Sequence, residues 1–179
     1  MPLVDRLRSL RPRRRPPLPD EARALLGLSA DERVLAWSTL VGGGWAAATI
    51  PGLRALLPTG ALLDRPWTDA DRVAWDADSR MLAVWWVASR AATPLEVEEQ
   101  SFLPEVVHER VRASMVASRE VVPPVGGPVR VVLRKAADSS LSTQVVPGRG
   151  ARTKDPQVAA LIERARAELR EEVGLPPGA

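Results

Sequence analysis

The chain has 179 residues, 45% hydrophobic and 26% charged, with a net charge of +3, enough for one domain with its own core and ordinary for a globular protein. It has no cysteine and a single histidine, which excludes disulfides, thiolate metal centres and cysteine nucleophiles and leaves only carboxylates to complete a zinc-type site. Arginine outnumbers lysine 23 to 2 and tyrosine is absent; this reads as the codon bias expected of a high-GC genome, so arginine abundance alone does not argue for a polyanionic partner.

The charge is uneven. Residues 1–19 carry Arg6, Arg8, Arg11, Arg13, Arg14 and Arg15 against the single acid Asp5, which leaves the rest of the chain at −2. A domain that binds nucleic acid through its folded surface carries its basic charge there, so any contact with nucleic acid or an anionic membrane is expected to run through this arm. The arginines lead into Pro16, Pro17 and Pro19 and not into an apolar stretch, unlike a secretory signal. A disordered Arg/Pro arm over 1–19, one folded domain over 20–175 and a cytoplasmic, at most peripherally membrane-bound, location are the expectations.

After a brief helical turn, Asp20 to Leu26, a first strand is expected over Arg33 to Leu40. The uncharged run Val34 to Leu53 has the length of a membrane span, but Gly42, Gly43 and Gly44 at its centre and Pro51 and Gly52 near its end fit two strands and a tight turn better. The second strand is then Trp45 to Ile50, with others at Leu53 to Leu57 and Ala61 to Asp64, punctuated by Pro58 and Gly60. A clear hairpin follows: Val73 and Trp75 lead into the polar turn Asp76 to Arg80, and Leu82, Val84 and Trp86 alternate on the return. Thr93 to Glu98 reads as a strand and Leu103 to Arg110 as a short helix. Val111 to Val122 alternates like a strand, although a continued helix is compatible with it. Val129 to Lys135 and Leu141 to Val146 alternate across the turn Asp138 to Ser140.

The last element is a helix over 156–173. Asp155 is its N-cap, Pro156 its first residue, and Val158, Leu161, Ile162, Ala165, Leu169 and Val173 form one apolar face, with Gly174 and Pro176 beyond its end. Strands closed by such a helix predict a mainly β fold in which the helix caps a barrel opening.

The stretches ERVLAWS (Glu32 to Ser38), RPWTDADRVAWDADSRMLAV (Arg65 to Val84), LPEVVHERVRASMV (Leu103 to Val116) and DPQVAALIERARAELREEVG (Asp155 to Gly174) resemble an uncharacterised protein group of high-GC bacteria. The resemblance spans roughly residues 20 to 174 and leaves out the arm. It implies a pleckstrin-homology-like (PH-like) domain, a split β-barrel or sandwich of about seven antiparallel strands with a capping C-terminal helix, and it implies no reaction.

The chemical inventory is thin. His108, between Glu105 and Glu109, has no serine nearby in sequence to activate and reads as a solvated side chain. The acids Asp64, Asp69, Asp71, Asp76 and Asp78 begin like a calcium loop, but Arg80 falls at a ligand position, the glycine is missing and Val87 stands where the bidentate glutamate belongs; a polar turn is expected and no metal. Gly42 to Gly44 lacks the lysine and hydroxyl of a phosphate loop. Arg149, Arg152 and Lys154, ahead of the last helix, form an anion-site candidate, opposed by the Asp155 carboxylate at the same helix end. Of the tryptophans at 37, 45, 67, 75, 85 and 86, most read as core; Trp85 and Trp86, adjacent on a strand, point to opposite faces, which makes them a protein-contact candidate unless the closing helix covers the second face. A noncatalytic interaction module with a protein or anionic partner, no cofactor and no catalytic residue is the leading expectation. Arm-driven binding to nucleic acid or membrane is the alternative, and a carboxylate enzyme ranks third.

Overall fold

The computed structural model describes residues 17–174 apart from 88, 90, 99 and 100, so the arginines of the arm lie outside the described residues. Three helices and ten strands follow one another: α1 (Asp20–Leu25), β1 (Val34–Thr39), β2 (Trp45–Thr49), β3 (Gly52–Leu56), β4 (Leu62–Pro66), a 3-10 turn at Trp67–Asp69, β5 (Ala70–Asp76), β6 (Met81–Trp86), β7 (Ala92–Glu96), α2 (Leu103–Ser114), β8 (Met115–Val121), β9 (Val129–Lys135), β10 (Leu141–Pro147) and α3 (Pro156–Glu172). The strands form three antiparallel meanders, β1-β2-β3-β4, β5-β6-β7 and β8-β9-β10. The fold is therefore mainly β with a C-terminal helix, but its described strands number ten where about seven were expected, and they close no barrel.

The run from Val34 to Leu53 is the start of the first meander. Leu40 N–H donates to Gly44 C=O at 3.2 Å and closes its turn. Gly44 has φ +103°, and a Cβ there would lie 2.1 Å from the Leu56 carbonyl oxygen, so both the backbone angle and the neighbouring strand demand glycine. In β2, Ala46, Ala47 and Ala48 are all buried, because the strand is covered on both faces. Ala46 and Ala48 face the main core, whereas Ala47 meets α1 together with Leu18, Ala22, Leu26 and Leu28. Leu18 is only 6% exposed, so the folded body takes in chain ahead of Asp20.

The main core joins the first two meanders to α2: Leu40, Leu53, Ala46 and Ala48 meet Trp67, Leu82, Val84, Trp86 and Leu95, with Leu103, Val106, Val107 and Val111 from the helix. The two sheets also touch through backbone, Val41 N–H donating to Glu96 C=O at 2.9 Å and Glu98 N–H to Thr39 C=O at 3.1 Å.

The two readings of Val111 to Val122 each hold for part of it. The helix runs through Ser114, whose hydroxyl donates to Val111 C=O at 2.7 Å, and the strand starts at Met115. A register shift between Met115 and Ala117 then re-aims the strand, so Met115 packs on the main core and Ala117 against α3. The closing helix does not cap a barrel opening. Its Val158, Ile162, Ala165 and Leu169 lie on Val121, Val129 and Val131 of the third meander, where a sheet offers one matching apolar face. It ends at Glu172, with Asp155 accepting from Gln157 N–H at 2.9 Å at its start.

Gly44→Ala is expected to destabilise the chain by more than about 1 kcal/mol, since the substitution is incompatible with the native backbone; urea denaturation of the two proteins measures it, and an unchanged midpoint would contradict the strand contact.

Candidate functional site

Strand β9 is buried on both faces. By alternation Val129, Val131 and Leu133 share one face and Arg130, Val132 and Arg134 the other, and the first of these faces is the one that meets α3. The second is turned to the body of the protein: Arg130 forms an ion pair with Asp71 of β5, and Arg134 Nη1 donates to Ser114 Oγ of α2 at 3.1 Å. Arginine thus stitches the third meander to the rest.

Arg134 is 0% exposed. Its Nε donates to Gln144 Oε1 at 3.1 Å, but its Nη2 has no hydrogen-bond partner and no carboxylate among the described residues lies within ion-pair distance. Burial pulls its pKa below the ordinary arginine value; Asp71 and, less strongly, Asp69 oppose that shift, while Arg130 adds to it. An arginine stays protonated through such shifts, so a positive charge sits beneath the surface here.

Above it opens a cleft of about 260 Å³ lined by Ile50, Trp67, Arg110, Ala113, Ser114, Lys135, Ala136, Ala137 and Ser139. Four separate pieces of chain build it: the β2–β3 turn, the 3-10 turn, the end of α2 and the β9–β10 turn. Trp67 is fixed by its indole N–H, which donates to the Thr49 and Ile50 carbonyls at 3.0 and 3.1 Å, so it offers the cleft its ring and no donor. Arg110 donates from Nη2 to Ile50 C=O at 3.1 Å, and its Nε is buried without a partner. Ser114 is not poised as a nucleophile: its proton goes to the Val111 carbonyl, and it accepts from Arg134.

The residues singled out in the sequence lie elsewhere. Arg149, Arg152 and Lys154 are exposed on the loop before α3, and the Asp155 cap already uses an amide of the helix start. Trp86 is buried, 6% exposed, with its indole N–H donating to Thr93 Oγ1 at 2.8 Å. Trp85 is half-buried on the opposite face, with the Arg72 guanidinium 4.1 Å from its ring centre; a neighbouring arginine, and not α3, covers it. Trp75 is the exposed one, at 41%. His108 is exposed on α2. Asp76 Oδ1 accepts from Asp78 N–H at 3.0 Å, and the Ser79 hydroxyl together with these amides holds its pKa below the usual carboxylate value, which makes DADSR a capped turn. Among the described residues no group of three or more potential ligands could hold a metal, and no helix is long and apolar enough to cross a membrane.

Sequence reading passed over the cleft because its parts are far apart along the chain. The one local signal is RVVLRK, in which Arg134 directly continues the apolar strand run Val131 to Leu133. No family model, no curated protein and no solved structure matches the chain.

Ser114→Ala leaves the Arg134 Nη1 donor buried and unpaired and is expected to cost about 1–3 kcal/mol, while the same change in an Arg134→Met background costs much less. A double-mutant cycle by urea denaturation measures the coupling; additive effects would show that the two side chains do not interact.

Proposed function

We propose that this chain is a noncatalytic interaction module of PH-like type and that the cleft at the end of α2 is its binding site. The observation that carries this reading is the construction of the cleft. Its wall is a tryptophan ring held by two backbone carbonyls, its floor a serine held between a carbonyl and a buried guanidinium, and its rim carries Arg110 and Lys135. Such a site is preformed, apolar on one side and provided with a few convergent polar groups, as small-molecule sites are. The hydroxyl in it is tied to a carbonyl and not to a base, which suits holding a ligand more than attacking one.

The six arginines within residues 1–19 favour a second reading, in which the arm binds nucleic acid or an anionic membrane and the body is passive. The two separate in the full-length chain without truncation, which matters because Leu18 belongs to the core. Native mass spectrometry of the chain after exposure to a cell extract is expected to show a bound species of metabolite size on the wild type and on a variant with all six arm arginines changed to glutamine. Ala113→Phe, which fills the cleft from α2, is expected to abolish it. Recovery of nucleic acid or lipid alone, lost when the arm is neutralised and retained in Ala113→Phe, would overturn the module reading.

A further inference from the structure

The geometry points to a doubly charged, metabolite-sized oxyanion, a phosphate monoester or a dicarboxylate, as the ligand of the cleft; this rests on the reading of the cleft as a binding site. The lining carries two cationic side chains, Arg110 and Lys135, two hydroxyls, Ser114 and Ser139, and no carboxylate. Neither cation is ion-paired among the described residues. The rim therefore presents two positive charges that no carboxylate among the described residues pairs.

A third charge lies one layer below. Arg134 is fully buried, bonds the underside of Ser114, and keeps an Nη2 donor without a partner. Its field adds to that of the rim, in a site walled by Trp67, Ile50 and three alanines where the effective dielectric is lower than in bulk water. Acidic groups act against an anion here. Asp71 is taken up by Arg130 and Asp69 by Arg65 at 3.7 Å. Asp138, beside Ser139 in the β9–β10 turn, accepts from Ser140 N–H at 2.9 Å. The carbonyls at the end of α2 also oppose an anion, but Ser114 Oγ and Met115 N–H already occupy those of Val111 and Arg112. Asp69 and Asp71 are ion-paired, whereas Asp138, bonded to neutral Ser140 groups, stays ionised; three cations then face that one carboxylate, and the charge around the cleft remains positive.

Size and wall chemistry narrow the class. About 260 Å³ falls below the range of roughly 300–1,000 Å³ typical of drug-sized ligands, so a metabolite-sized group fits. One side of the cleft is the Trp67 ring, whose donor is already used. The ligand thus places its charge toward Arg110 and Lys135 and an apolar or flat portion against the indole.

The test is a titration of the full-length ¹⁵N-labelled chain at constant ionic strength with four probes: phenyl phosphate, succinate, benzoate and phenol. Saturable shifts of the Ala113, Lys135 and Ser139 amides and of the Trp67 indole N–H are expected with phenyl phosphate or succinate, and the stronger of the two identifies the source of the dianion. Lys135→Glu, a change at an exposed side chain, is expected to weaken that binding roughly tenfold to a hundredfold, as loss of a charge-assisted contact does. A combined Arg149→Ala, Arg152→Ala, Lys154→Ala variant is expected to bind as the wild type does. Equal binding of benzoate would overturn the dianion assignment, as would binding that survives Lys135→Glu or disappears in the triple variant. Binding of phenol with neither dianion would remove the oxyanion inference and leave the cleft a binding site; no response to any probe would overturn the inference itself.

Discussion

A guanidinium with no carboxylate against it among the described residues, Arg134, sits at the centre of the seam between the third meander and the rest of the protein. Taking an ion out of water costs several kcal/mol unless hydrogen bonds and opposite charge offset it. Here the offset comes from Gln144 on the next strand, from Ser114 on α2 and from the field of Asp71. Of these groups Ser114 and Asp71 lie outside the third meander, so the arginine is tolerable only when that meander is docked on α2 and β5. The charge therefore specifies one docking, much as a polar group in a core can fix register. Apolar packing does the remaining work on the other face of the same strand, where Val129 and Val131 meet α3.

The same arrangement explains the cleft. Ser114 is the last residue of α2; its hydroxyl turns back to the Val111 carbonyl, and that hydroxyl is also where Arg134 arrives. The side chain next to it along β9, Lys135, is carried to the rim, while Arg110 is placed one turn back along the helix and reaches Ile50. One residue thus links helix termination, sheet docking and the composition of the site. The Trp67 ring completes the wall because the 3-10 turn between the first and second meanders points its indole N–H at the β2–β3 turn.

Local structure was largely legible in the sequence, because period-two alternation, glycine turns and an Asp-Pro helix start act over a few residues. Gly44 at its turn, the 81–86 return strand and the α3 start follow from such signals. What depends on pairing across the fold did not follow. Alternation from Val111 to Ala117 left strand and continued helix both open, and it gave no hint of the register shift that turns Met115 and Ala117 to different cores. The face of α3 announced an apolar partner without naming which sheet would supply it. Trp85 and Trp86 were separable by parity, but only the structure puts Arg72 over one and Thr93 beside the other. The site was the least legible of all: charge counts favoured the arm and the loop before α3, whereas the cleft draws single residues from four segments.

The most direct measurement is the NMR signal of the Arg134 guanidinium in uniformly ¹⁵N,¹³C-labelled protein. A buried side chain whose Nε donates to Gln144 and whose Nη1 donates to Ser114 predicts an Nε–H resonance shielded from solvent exchange and resolved from those of the exposed arginines. It also predicts Nη resonances split by slow rotation, and loss of that splitting in Ser114→Ala. An Arg134 signal that exchanges freely and averages like a surface arginine would contradict the account, since the seam would then be held by something other than this charge.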